Sequence, residues 1–478
     1  MDGTAFSKSS GSQVPRVVIA APHGRSGKTT VTIGLVAALA TRGYKVQPFK
    51  KGPDYIDPGW LGRAAGRACR NLDRYFCTAD EVAGAFQRGI RGADVAVIEG
   101  AMGLFDGLDV AGSGSTAEIA RVLGAPVILV VDATRMTRSV AALVRGFMDF
   151  DPQIRVAGVI LNRVAGQRHG EIMQESIARY CGLPVLGFVP KSRDLSIPDR
   201  HLGLVPAVEA ECGLQALEWA RTVALEHLDL EAILAVARSA EPLPPAAGAA
   251  PGSEQRGGGG PRVRIGYLWD AAFSFYYPEN LEALQAAGAD LVPVSALEDG
   301  GLPALDGLYL GGGFPEEFAA SLEANSRLRN AVRQAAERGM PMYAECGGLM
   351  YLSRSISYQG RDYAMAGVLP ADVIMEAKPQ GHGYTLMEVT GENPFFPIGS
   401  LIRGHEFHNS RLANVDLSRV GFAYQVHKGN GVDHKHDGLV YRNVLAGYNH
   451  CHAAAVPGWA PALVARAAEY RGASASAV

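Results

Sequence analysis

Met342-Tyr343-Ala344-Glu345-Cys346-Gly347-Gly348-Leu349-Met350 is an apolar run halted at a lone cysteine, with two glycines and a helix-compatible segment behind it. A chain of this kind builds a strand–nucleophile–helix elbow. The tight turn presents the thiol, and small neighbours let a carbonyl approach the backbone N–H that follows it. A buried structural cysteine ahead of a helix has the same local pattern. The stretch therefore takes its meaning from partners elsewhere in the chain.

In the same half, Asp306 to Glu316 reads as a strand breaking into Gly311-Gly312-Gly313. Glycine lets backbone N–H groups face inward, so Gly312 and Gly347 are the candidate oxyanion donors. An ordinary glycine turn is the alternative. Downstream lie two histidine-bearing runs, Arg403-Gly404-His405-Glu406-Phe407-His408 and Gly447-Tyr448-Asn449-His450-Cys451-His452. A cysteine nucleophile needs an imidazole as base and later acid, and these runs supply the candidates. Cys451 beside His450 also admits a metal site, but no second Cys/His pair is spaced to complete one. His434-Lys435-His436 reads as a solvated loop.

The N-terminal half opens on the β-branched run Val17 to Ala20, a buried-strand pattern, then Pro22-His23-Gly24-Arg25-Ser26-Gly27-Lys28-Thr29-Thr30 and a helix expected from Val31 to Arg42. Strand, glycine loop, Gly-Lys-Thr and helix together make a phosphate-binding P-loop, although Pro22 stands where its first glycine belongs. Loop N–H groups and the helix N-terminus hold phosphate oxygens, Lys28 meets the β/γ-phosphates, and the Thr29 hydroxyl can ligate Mg²⁺. The strand Lys45 to Lys50 runs into Gly52-Pro53-Asp54-Tyr55-Ile56-Asp57-Pro58, where Asp54 and Asp57 form a candidate metal or substrate station. Solvated Asx turns are the competing use of such aspartates. Asp94 to Ile98 is an apolar strand ending on Glu99, at the rim where open α/β sheets bind ligands, which makes Glu99 the natural second Mg²⁺ contact. Further strands are expected at 126–132, 156–163 and 184–190, with Asn162 as a base-recognition edge. Residues 197–206 read as a turn that is either surface loop or substrate contact.

At 478 residues the chain exceeds one ordinary core. With 47% hydrophobic and 19% charged residues and a net charge of −3, there is no basic field for nucleic acid. The six cysteines form no CxxC pair, which fits neither a disulfide framework nor a zinc ribbon. No apolar run reaches the roughly 18 residues of a membrane helix. The expectation is a cytoplasmic enzyme with a polar tail (1–14), a P-loop α/β domain (15–240), a Pro/Gly-rich linker (241–260) and a second α/β domain (261–478).

In combination, Ser26-Gly27-Lys28-Thr29-Thr30, Gly52 to Pro58, Glu99-Gly100 with Met102-Gly103 and Asp106-Gly107, Gly311 to Gly313 with Pro315-Glu316, Ala344 to Gly348 and Arg403 to His408 resemble the cobyrinic acid a,c-diamide synthase family. These are ATP- and glutamine-dependent amidoligases of tetrapyrrole synthesis. The resemblance implies a dethiobiotin-synthetase-like P-loop domain with a mostly parallel sheet, joined to a class I glutamine amidotransferase domain. It implies Cys346 as nucleophile and His450 as base, without the acidic third member of a triad. Ser26, Gly27, Lys28, Thr29, Thr30 and Asn162 would bind ATP. Thr29, Asp54 and Glu99 would hold Mg²⁺, with Asp57 and Asp106 near the carboxylate to be phosphorylated. The implied partners are a tetrapyrrole, L-glutamine and ATP, and the expected assembly is a homodimer. Lys51, Trp60 and the Ala453-Ala454-Ala455 run depart from the family pattern, so sirohaem or (nickel-)sirohydrochlorin remains an alternative to cobyrinate. From another class, a P-loop regulatory ATPase with an inactive second domain is the competing expectation.

Overall fold

The computed structural model describes residues 14–191, 199–200, 203–207, 211–243 and 262–476. The expected tail up to residue 13, the linker from 244 on and parts of the 197–206 turn lie outside the described residues. The chain forms two compact units that divide between residues 249 and 250.

The first unit is built on seven strands, β1 (Arg16–Ala20), β2 (Val46–Lys51), β3 (Arg70–Leu72), β4 (Val95–Glu99), β5 (Val127–Asp132), β6 (Val156–Val164) and β7 (Val185–Pro190). They form one sheet in the order β3-β2-β4-β1-β5-β6-β7, and every pairing is parallel. A parallel sheet is covered on both faces, which is why its central strands are near-continuous apolar runs. Val17 to Ala20, Val95 to Ile98 and Val127 to Val131 are all buried. The strand order reverses about β1, placing the loops after β1, β2 and β4 along one rim, where such sheets bind ligands. The helix after β1 spans Lys28–Thr41, three residues earlier than the expected Val31. Gly27 at φ 88° supplies the left-handed cap that lets it begin there. A short antiparallel pair, β8 (Asp199–Arg200) and β9 (Gly203–Leu204), follows.

The second unit begins with β10 (Val263–Leu268), β11 (Ala289–Val294), β12 (Gly307–Leu310) and β13 (Met342–Glu345). Next come β14 (Ser355–Tyr358), β15 (Arg361–Ala364), β16 (Asp372–Met375), β17 (Gly381–Val389), β18 (Leu401–His408) and β19 (Ser410–Ala413). The last are β20 (Gly421–Lys428), β21 (His436–Tyr441), β22 (Val444–Gly447) and β23 (His450–Cys451). Ten of these make a mixed sheet, β11-β10-β12-β13-β22-β21-β20-β17-β18-β23, parallel as far as β22 and antiparallel beyond. Four others, β15-β14-β16-β19, form a satellite sheet. β12 and β13 lie side by side, so the glycine loop and the cysteine turn leave the same rim. β22 pairs with β13 (Glu345 opposite Gly447) and leads directly towards His450. Among the described residues no helix is long and apolar enough to cross a membrane.

Candidate functional site

In the first unit the P-loop, the aspartate loop and the end of β4 converge. The Thr29 hydroxyl donates to Glu99 Oε1 at 2.6 Å and lies 3.3 Å from Asp57 Oδ2. Lys28 Nζ donates to the Met102 carbonyl at 2.9 Å, across the turn that follows β4. Asp106 closes that turn by accepting the Gly103 N–H at 2.7 Å. Asp54 Oδ1 accepts the N–H groups of Ile56 and Asp57, starting the helix Ile56–Ala65. Asn162, from β6, donates its amide to the Ser26 carbonyl at 2.9 Å and accepts the Arg163 N–H. A Cβ on Gly27 would sit 2.1 Å from that amide, so Asn162 braces the P-loop from behind. Thr30 is half-buried in the first turn of the helix.

Lys50, which has no assigned role in the sequence pattern, ties this cluster together. Its ammonium, almost fully buried, lies 2.5 Å from Asp57 Oδ2, 3.1 Å from Glu99 Oε1 and 3.8 Å from Asp54 Oδ2. Burial works to neutralise Lys50, but Asp57, Glu99 and Asp54 hold it above the ordinary lysine range. Burial and the neighbouring Asp57 push Asp54 up to about 7, and burial raises Glu99 as well. Lys28 is lowered by burial and by Lys50. Three carboxylates thus surround one buried ammonium, with Lys28 attracted electrostatically to two of them, Glu99 and Asp57.

Among the described residues no three His, Cys, Asp or Glu side chains form a metal cage. Mg²⁺ does not need one, because it keeps waters and takes one or two carboxylates together with phosphate oxygens. Among the described residues Glu99 Oε2 is buried with no hydrogen-bond partner, in the carboxyl group that accepts the Thr29 hydroxyl. That orphaned carboxylate oxygen, next to the Thr29 hydroxyl, fits a divalent cation. Trp60 is fully buried and donates its indole N–H to the Val205 carbonyl.

In the second unit Cys346 stands between β13 and the helix Gly347–Leu352 at φ 46°, ψ −100°. This is a sparsely populated conformation for a residue with a Cβ, of the kind found at nucleophile elbows. The Cys346 N–H donates to the Gly447 carbonyl at 2.8 Å, and its thiol lies 3.9 Å from the Phe407 carbonyl. Burial, then Glu316, push the thiol well above the usual range, so it rests protonated and needs a base.

Gly312 and Gly347 meet at this turn: a Cβ on Gly347 would lie 3.0 Å from the Gly313 nitrogen and 3.3 Å from the Gly312 carbonyl carbon. A Cβ on Gly312 would lie 2.6 Å from His450 Cε1 and 3.4 Å from its Nε2. The imidazole of His450 is therefore packed against the glycine loop, with Nε2 on that side. His405 stacks on His450 at 4.9 Å between ring centres. Burial, then the neighbouring His450, keep His405 well below the usual histidine range, hence neutral.

Glu345, the residue before Cys346, stands in the sequence only as part of the Ala344 to Gly348 motif. It is fully buried, accepts the Cys451 N–H at 2.9 Å and the Tyr309 hydroxyl at 3.0 Å, and lies 3.6 Å from His450 Nδ1. A carboxylate breaking an apolar strand one residue before the cysteine was the available signal.

Comparison with known proteins accords with both units. Residues 17–205 match the CobQ/CobB/MinD/ParA nucleotide binding domain, and 264–457 match the CobB/CobQ-like glutamine amidotransferase domain. The chain is 48% identical over 456 residues to the cobyrinate a,c-diamide synthase of Magnetococcus marinus, covering 94% of this chain and 97% of that protein. It is 40% identical to that of Methanosarcina acetivorans, covering 98% and 99%. It is 45% identical to that of Syntrophotalea carbinolica, covering 94% and 98%. With similarity running through both units at this level, the chain belongs to the cobyrinate a,c-diamide synthase family.

Proposed function

We propose that this protein amidates the a and c acetate side chains of cobyrinate, using glutamine as nitrogen source and ATP to activate each carboxylate. What supports this is the pairing within one chain of a strained, buried cysteine, at a turn meeting the glycine loop on which His450 packs, with a P-loop whose Thr29 meets a buried carboxylate cluster. A regulatory ATPase has no use for the first, and a free glutaminase none for the second.

His450 Nε2 takes the Cys346 thiol proton as sulfur bonds to the glutamine amide carbon, and the N–H groups of Gly312 and Gly347 stabilise the oxyanion. The C–N bond then breaks, the imidazolium returns its proton to the departing nitrogen, and ammonia leaves a thioester that water cleaves to glutamate. In the P-loop unit a side-chain carboxylate of cobyrinate attacks the γ-phosphorus of ATP, releasing ADP and forming an acyl phosphate. Ammonia displaces phosphate from that carbonyl, and one proton is lost to leave the amide. Activation is required because a free carboxylate has no adequate leaving group.

Ser26, Gly27, Lys28, Thr29 and Thr30 hold the phosphates, and Asn162 keeps their loop in place. Asp57 and Asp106 would lie near the carboxylate being activated. Thr29, Asp54 and Glu99 would hold Mg²⁺, which when bound offsets charge on the transferring phosphoryl group. The expected working assembly is a homodimer, and light scattering tests it by whether it reads twice the chain mass.

The test is ATP- and glutamine-dependent amide formation, followed by mass spectrometry, on a panel of cobyrinate, hydrogenobyrinate, sirohydrochlorin and sirohaem. Cobyrinate should be converted to the diamide. Conversion of sirohaem or sirohydrochlorin alone would move the substrate assignment, and conversion of none would overturn the tetrapyrrole reading.

A further inference from the structure

We infer that Glu345 is a positioning residue for glutamine hydrolysis, acting as the carboxylate partner of His450 from the position immediately before the nucleophile. The inference rests on Cys346 and His450 acting as proposed above. It also replaces the expectation of a cysteine–histidine pair with no acidic member.

An imidazole that accepts a thiol proton on Nε2 must carry its own proton on Nδ1. A carboxylate facing Nδ1 selects that tautomer and stabilises the imidazolium formed during attack. Position 452, two residues beyond the base, is a histidine and offers no carboxylate. Glu345 Oε2 lies 3.6 Å from His450 Nδ1, while Nε2 sits on the Gly312 side of the ring. Nδ1 thus faces the carboxylate that the chemistry requires. At 3.6 Å the contact is an ion-pair distance, slightly longer than a hydrogen bond; such catalytic contacts often tighten only once substrate is bound.

The carboxylate is held from other directions as well. The Tyr309 hydroxyl donates to Oε2 and the Cys451 N–H to Oε1, and Asn280 steadies the set by donating to the Tyr309 hydroxyl at 3.3 Å and the Cys451 carbonyl at 2.9 Å. β13 fixes nucleophile and carboxylate one residue apart. In a strand successive side chains leave opposite faces, and the turn at Cys346 redirects the thiol while Glu345 keeps its strand direction. The base, on β23, is pinned to the same carboxylate through the backbone of its neighbour Cys451. One buried side chain thus sets both the place and the tautomer of the imidazole.

Glu345→Gln tests this. The amide retains an oxygen for the Cys451 N–H, but turns an NH₂ donor towards Nδ1 and so favours the wrong tautomer. The expected result is a fall of about 10²-fold or more in kcat for glutamine hydrolysis, with KM for glutamine within about threefold. ATP-dependent amidation of cobyrinate from ammonium chloride should stay within about threefold of the unsubstituted protein. Retention of the glutamine kcat within threefold would overturn the inference. If E345Q does not fold, Glu345→Asp keeps the charge but withdraws it. The glutamine kcat should then drop by about tenfold with the ammonia reaction spared, whereas an equal fall in both would assign Glu345 a purely structural role. Failure of the unsubstituted protein to amidate cobyrinate from ammonia would count against the proposed function. It would leave the comparison of glutamine hydrolysis to decide on Glu345.

Discussion

Lys50 concentrates the electrostatics of the P-loop unit in one side chain. Its ammonium is buried, and three carboxylates are oriented on it. Removing one partner of a buried charge network costs about 3–5 kcal/mol, because the remaining charges stay desolvated and uncompensated. Lys50→Met should therefore lower the stability of the first unit by that amount in denaturant unfolding, and an unchanged midpoint would mean that the ammonium does not hold the cluster. Lys50 and Glu345 were the residues least legible in the sequence. Each reads there as a charged interruption of an apolar strand. Its meaning depends on partners far along the chain, such as Tyr309 and Cys451 for Glu345 and Glu99 for Lys50. Thr29, Asp54, Asp57 and Glu99 were legible because strand ends and a Gly/Pro-punctuated loop confine them to one rim.

Among elements, the glycine loop after β12 and the segment joining β22 to β23 set the geometry around the thiol. Gly312→Ala would place a methyl 2.6 Å from His450 Cε1. Displacing the ring by about an ångström should lower glutamine-driven turnover about 10²-fold while sparing ammonia-driven turnover. Unaltered glutamine kinetics would separate this loop from the base.

The joining segment is anchored by Asp437, which accepts the N–H groups of Tyr448 and Asn449 at 3.1 and 3.0 Å. Burial pushes its carboxyl up to about 6. Because the folded pKa lies above the unfolded value, this group's contribution is complete below about pH 4 and is lost as pH rises through about 6. The loss amounts to at most about 3 kcal/mol. The stability difference between the protein and Asp437→Asn should accordingly narrow from pH 4 to pH 7 in thermal unfolding, and widening would contradict the assignment. The strands and their parallel pairing were readable from apolar runs ending in polar residues. The satellite sheet was not, because its short strands, such as Arg361–Ala364, are partly exposed and carry no strong alternation.

For the whole molecule, the reaction is divided between two units of one chain, and the division can be read in paired variants. Cys346→Ala should abolish glutamine-driven amidation, by at least about 10³-fold, and leave the ammonia-driven reaction intact. Lys28→Ala should remove both, because no carboxylate is activated without the phosphates held in place. Loss of both activities in Cys346→Ala would mean that the thiol serves the synthetase chemistry directly. The long separation in sequence between residues 28 and 346 hid nothing, since each half carries its own strand-and-turn pattern. How many carboxylates are amidated, and on which ring system, had no local signature.

The most direct measurement supplies amide-¹⁵N glutamine, ATP and cobyrinate to the intact protein and follows the label. The expected product is a diamide carrying ¹⁵N in both new amides, with one ADP and one glutamate formed per amide. Release of ¹⁵N-ammonia without labelled cobyrinate amide, or ADP formation with no amide product, would contradict it.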